Sequence, residues 1–141
     1  MQLDDLYRRV IMDHYKNPRN QGDMETGTVT VDLNNPTCGD RISLQMEIVD
    51  GVVKRAKFKG EGCSISIASA SMMTDAVRGK TRDEALLLAE KFSGLMKGED
   101  VFFDDHEDIE ALSGVNKFPA RIKCAMLPWS AMRKGIQSIE S

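Results

Sequence analysis

No run of apolar residues in this chain approaches the length of a membrane span. Its first residues, Met1-Gln2-Leu3-Asp4-Asp5, lack the basic-then-apolar order of a secretory signal. Both absences lead to the expectation of a cytoplasmic protein with no membrane partner. An excess of positive charge is also missing: 19 Lys and Arg stand against 22 Asp and Glu, for a net charge of -3. That balance argues against a general binder of nucleic acid or anionic membranes. There are no repeats and no low-complexity tracts. Tryptophan occurs once against nine methionines, which suggests an adaptable interior. Cysteine is scarce and odd in number, at three. In a cytosolic chain such a set reads as metal-binding or reactive thiols rather than a disulfide framework. With 141 residues the chain is expected to form a single domain, 1–141, large enough to bury a core without staples.

Hydrophobic periodicity supplies the elements. Leu3, Leu6, Tyr7, Val10, Ile11, His14 and Tyr15 recur at helical spacing, with Asp4 and Asp5 at the positive end and Asn17-Pro18 as the stop. Val29, Val31 and Leu33 alternate with polar residues, as do Ile42, Leu44, Met46 and Ile48. Asp50-Gly51 then marks a hairpin, and Val52 to Lys59 forms the return strand. The expected fold class is α+β: a three-stranded antiparallel sheet packed on one face by helices. Ser64 to Arg78 is small and apolar, as a helix buried on that sheet would be, and Gly79 ends it. Thr81-Arg82-Asp83-Glu84 is a capping box opening a helix to about Met96. Residues 98–114 hold seven acids and no Lys or Arg, and read as a surface excursion with a short helix near Asp108–Leu112. In the last helix Pro128 cannot donate to the carbonyl of Cys124. The helix is therefore expected to kink, or to begin near Cys124, and either way to leave Cys124 irregular and accessible.

The cysteines sit in informative places. Cys38 lies in Asn35-Pro36-Thr37-Cys38-Gly39-Asp40, with Asp40 two positions on, in the loop between the first two strands. Cys63 lies in Gly60-Glu61-Gly62-Cys63-Ser64-Ile65-Ser66, where the third strand meets a helix. A thiolate there faces the helix's unpaired N–H groups. Cys124 lies in Arg121-Ile122-Lys123-Cys124-Ala125-Met126. The ends of strands one and three share an edge of the meander, so the first two sites can meet, and Cys124 is expected to come from the C-terminal helix packed beside them. Three thiols and a carboxylate make a tetrahedral metal-ligand count: Cys38, Asp40, Cys63 and Cys124. The competing reading is three buried cysteines acting as small hydrophobes. His14 reads as a packed or hydrogen-bonded helix residue, and His106 as solvated. Lys54, Arg55, Lys57 and Lys59 are expected on the solvent side of the third strand.

The motifs Val10-Ile11-Met12-Asp13-His14-Tyr15-Lys16-Asn17-Pro18-Arg19-Asn20, Asn35 to Arg41, Gly60 to Ser66 and Phe118 to Cys124 resemble the IscU/NifU N-terminal family of iron–sulfur cluster assembly, and most closely its SufU branch. Scaffold-type members carry a histidine directly before the third cysteine, where this chain has Lys123, and a Leu-Pro-Pro-Val-Lys segment, where it has Phe118-Pro119-Ala120-Arg121-Ile122. The acidic stretch at about 98–114 resembles the insertion of the SufU branch. The resemblance implies zinc held by Cys38, Asp40, Cys63 and Cys124, with Arg121 and Lys123 offsetting the site's negative charge. Asp40, the harder ligand, should be the more exchangeable.

It further implies a zinc-dependent sulfurtransferase that takes persulfide sulfur from a SufS-type cysteine desulfurase. A partner group displaces one ligand, and the released Cys38, the expected catalytic residue, attacks the outer sulfur. The sulfur then passes to a downstream Fe–S scaffold or apo-protein acceptor. The alternative is an IscU-type scaffold assembling a [2Fe–2S] cluster on the same ligands. A structural zinc module is a third reading.

Overall fold

A computed structural model describes residues 3–24, 27–36 and 39–139, with side chains from Arg8 onward. Cys38 and the side chains of Leu3 to Tyr7, including Asp4 and Asp5, lie outside the described residues. The elements run α1 (Leu3–Lys16), β1 (Val29–Asn35), β2 (Asp40–Val49), β3 (Val52–Glu61), α2 (Ser64–Val77), α3 (Arg82–Met96), a 3₁₀ helix (Glu107–Lys117) and α4 (Pro119–Ser138).

The strands form one antiparallel sheet in the order β1-β2-β3. Alternation decides its faces. Val29, Val31, Ile42, Leu44, Met46, Val53, Ala56 and Phe58 point inward, while Arg41, Arg55 and Lys59 face solvent. Asp50 and Gly51, both at positive φ (52° and 76°), close the β2–β3 hairpin with the twist that antiparallel strands require. Asn35 pairs with Asp40, and Arg41 with Glu61. The end of β1, the start of β2 and the end of β3 therefore share one edge, as the sequence implied.

The inner face is covered by α2, which packs on β3, and α4, which packs on β1 and β2. Close approach of α4 depends on Gly135: a Cβ there would come within 2.7 Å of Met46 Cε and 3.1 Å of Val29 and Val31 methyls. Trp129 of α4 is fully buried and stacks on Phe92 of α3, ring centres 4.7 Å apart, with Phe103 tilted against it at 6.5 Å. The capping box at Thr81 and Glu84 forms as expected.

Two expectations are corrected. The acidic stretch is more than a surface excursion. Its acids are largely exposed, but Phe103, Ile109, Leu112 and Val115 are buried in the main core. Ile109, Leu112 and Val115 recur every third residue, the repeat of a 3₁₀ helix, which puts all three on one inward stripe. The last helix neither starts at Cys124 nor leaves it accessible. It starts at Pro119, whose missing N–H costs nothing in the first turn, and runs through Pro128 with Cys124 fully buried. Beside the proline, the Ser69 hydroxyl donates to the Ala125 carbonyl at 2.6 Å and accepts from Trp129 Nε1–H at 3.1 Å. A side chain of α2 thus serves a carbonyl in the stretch of α4 that the proline disturbs.

Candidate metal centre

β2 begins at Asp40, whose side chain is fully buried. Burying a carboxylate without partners is costly, so its partners identify its role. Oδ1 accepts from the backbone N–H of Cys63 at 2.9 Å and from the Ser66 hydroxyl at 3.2 Å. Cys63 is the N-cap of α2, and its own side chain makes no cap bond. Asp40, from another element, takes the N-cap residue's own N–H and places a negative group at the positive helix end. Gly62, at φ 151°, makes room for it. A Cβ there would collide with Asp40 Oδ1 and sit 2.9 Å from Ser66 Oγ.

Oδ2 is different. It is buried and, among the described residues, has no hydrogen-bond partner. A carboxylate oxygen of Asp40 and the sulfurs of half-buried Cys63 and buried Cys124 all lie within 4.8 Å of one another. A buried carboxylate with one unpartnered oxygen, close to two sulfurs, is the arrangement a cation resolves. Tetrahedral zinc, with bonds of about 2.0–2.3 Å, spaces its donors by roughly 3.5 Å, so a small contraction would close the set. The donors fit: two soft sulfurs and one oxygen suit zinc better than calcium or magnesium.

Arg121, exposed in the first turn of α4, adds the counter-charge. Coulombic attraction to Cys63, a hydrogen bond to its sulfur and attraction to Cys124 hold the guanidinium pKa above its ordinary value. Lys123 is exposed, and among the described residues no ion pair ties it to the cluster. Of the two cations expected to offset the site's charge, the structure brings Arg121 to it.

Residues 6–141 match the NifU-like N-terminal domain family. The chain belongs to that family. Among its relatives, the zinc-dependent sulfurtransferase SufU of Bacillus subtilis is 57% identical over 141 residues, spanning 98% of this chain and 94% of that one. The iron–sulfur cluster assembly scaffold protein IscU of Streptococcus pyogenes is 46% identical over 136 residues, spanning 96% and 85%. A solved structure from Fervidobacterium islandicum, described as an iron–sulfur cluster assembly scaffold protein for the SUF system, superposes with a TM-score of 0.85 at 30% identity. It covers 90% of this chain and 93% of that one. The three-stranded sheet and its helical cover are therefore the architecture of the NifU-like N-terminal family.

His14 lies apart from the cluster. It is buried, with Nδ1 at 2.7 Å from Ser71 Oγ and Nε2 at 2.5 Å from Asp108 Oδ2, so it joins α1 to α2 and the 3₁₀ helix as a hydrogen-bonded side chain. His106 is half-buried at the start of the 3₁₀ helix. Ser66, which sequence pattern alone did not single out, stands three residues after Cys63. That is the N3 position, where side chains commonly fold back toward the N-cap.

Proposed function

We propose that this chain is a zinc-dependent sulfurtransferase that accepts persulfide sulfur from a SufS-type cysteine desulfurase, with Cys38, Asp40, Cys63 and Cys124 as the zinc ligands. The observation that carries the reading is Asp40 Oδ2, buried and unpartnered in a carboxylate within 4.8 Å of two sulfurs. The 57% identity to a protein named for zinc-dependent sulfur transfer supports it. Cys38 precedes Asp40 by two residues, a chain span of at most about 7 Å. Zinc, when bound, would keep its cysteine ligands deprotonated.

The protein's own groups then act in order. Asp40, the harder ligand, would be the more exchangeable, and a partner group would release Cys38 from the site. The Cys38 thiolate attacks the outer sulfur of the desulfurase persulfide. A new S–S bond forms at Cys38, the old one breaks, and the desulfurase cysteine leaves as thiolate. Arg121, beside the sulfurs, stabilises negative charge as it moves between them. The Cys38 persulfide passes next to an Fe–S scaffold or apo-protein acceptor.

Metal analysis of aerobically purified protein, followed by mass spectrometry after reaction with a cysteine desulfurase and labelled cysteine, tests the proposal. The expected result is colourless protein with stoichiometric zinc and extra sulfur on the Cys38 peptide. Brown protein with cluster absorbance would favour the [2Fe–2S] scaffold instead. Raised desulfurase turnover with no extra sulfur on any cysteine would make the chain an allosteric activator.

A further inference from the structure

Asp40 is held by two donors, and the second belongs to a residue with no assigned role. Ser66 is fully buried in the first turn of α2. Its Oγ lies 3.2 Å from Asp40 Oδ1, 3.0 Å from the Cys63 carbonyl oxygen and 3.9 Å from the Cys63 sulfur. One hydroxyl hydrogen is available to two acceptor oxygens. The bond to the carboxylate is charge-assisted and hence the stronger. The Cys63 N–H already holds Oδ1 along one direction. A second donor from the helix prevents the carboxylate from turning about that bond and exchanging its two oxygens.

We infer that Ser66 is a positioning residue for the candidate metal centre, fixing Oδ1 of Asp40 so that Oδ2 is left free to ligate an ion held with the Cys63 and Cys124 sulfurs. The inference rests on the zinc reading above and goes beyond it by naming the group that sets how the yielding ligand is offered. Ser66 Oγ also lies 3.0 Å from the Cys63 carbonyl oxygen, so the hydroxyl sits between two ligand residues from different elements. Its role is exerted through Asp40, the side chain it holds. Outer partners of this kind commonly change metal affinity by about 10–100-fold when removed.

The test measures Zn²⁺ affinity of the full chain by competition with a chromophoric chelator, and records the visible spectrum of the Co²⁺-loaded protein. Wild type, Ser66→Ala, Ser66→Thr, Asp40→Ala and the Asp40→Ala/Ser66→Ala double variant are compared. Ser66→Ala should weaken Zn²⁺ binding by about 10–100-fold and alter the Co²⁺ ligand-field bands. Ser66→Thr, which keeps the hydroxyl, should restore most of the affinity. In the Asp40→Ala background the Ser66→Ala change should have almost no further effect, because the group it acts through is gone. Equal losses in both backgrounds, or a Ser66→Ala protein that binds both ions like wild type, would overturn the inference and leave the zinc reading standing. A Ser66→Ala variant that no longer melts cooperatively without metal would make the hydroxyl a folding element and overturn the inference too. Wild-type protein that binds neither ion would remove the zinc reading itself, and the inference with it.

Discussion

Asp40 shows how one side chain can be both a cap and a candidate ligand. Its two oxygens are divided: Oδ1 serves the start of α2, and Oδ2 is left over. Gly62 is the residue that permits this division. Gly62→Ala would place a methyl against Asp40 Oδ1 at a backbone conformation, φ 151°, that side chains rarely adopt. Denaturant unfolding without metal should show a loss of about 1–3 kcal/mol. Zinc affinity should fall in parallel, since the carboxylate must move. Unchanged affinity with unchanged stability would mean that the Gly62 contact is not what seats Asp40. At this scale the sequence made the meeting of Asp40 with Cys63 legible, because the ends of a three-strand meander must share an edge, whereas Cys124 could be brought to them only by assuming that the last helix packs beside that edge. It did not show that Asp40 caps α2, that Gly62 makes the room, or that Ser66 supplies the second donor. Those facts depend on how two distant segments approach to within hydrogen-bonding distance, and residue type alone does not encode that approach.

Among the elements, the 3₁₀ helix is where local pattern and composition gave different answers. Seven acids in residues 98–114 suggested a wet surface, while Ile109, Leu112 and Val115 carried a three-residue repeat that commits one side to the core. The helix is also latched by Asp108. Its carboxylate can only accept, so His14 Nε2 carries the hydrogen in the bond between them. Asp108→Ala would leave that buried donor unpaired, at about 1–3 kcal/mol near neutral pH. Hydrogen exchange should show the loss concentrated in residues 107–117 and the facing turns of α1. The pH dependence follows from Asp108, whose pKa is held below its ordinary value chiefly by the His14 hydrogen bond, with further attraction from His14 and His106. A depressed carboxylate stabilises the fold above its unfolded pKa and loses that contribution as pH falls through the folded one. Wild type should therefore keep this advantage over Asp108→Ala down to the ordinary carboxylate value of 3.8 and lose it below. An advantage that instead grows below that pH would show that Asp108 is not the group responsible. The last helix teaches a similar lesson. Pro119, not Pro128, sets where the helix begins, and so places Cys124 in its second turn.

Across the whole molecule, the candidate metal centre lies at one margin of the hydrophobic core, which it meets at buried Cys124. The core lies between the inner sheet face and α2, α3 and α4, with Trp129, Phe92, Phe103, Leu44 and Met46 fully buried. The candidate ligands lie at one end, where β2, α2 and α4 meet. A chain with such a core does not need an ion to fold, unlike a zinc finger, which has almost nothing else to bury. Metal should therefore add stability by mass action to a structure that already exists. At a free zinc concentration of 100 times Kd the gain is about 2.7 kcal/mol, which for a chain of this size raises Tm by about 10 °C. Scanning calorimetry with and without a chelator should show two cooperative transitions separated by that amount. Cys63→Ser and Cys124→Ser should melt near the chelated wild type and respond little to zinc. Chelation that leaves the wild-type Tm unchanged would sink the metal centre. Chelation that abolishes the cooperative transition would instead make zinc a structural requirement, and the hydrophobic core would then be insufficient alone. The intermediate result, a folded chain that zinc tightens at one end, is the one that leaves a ligand able to yield without unfolding the protein that holds it.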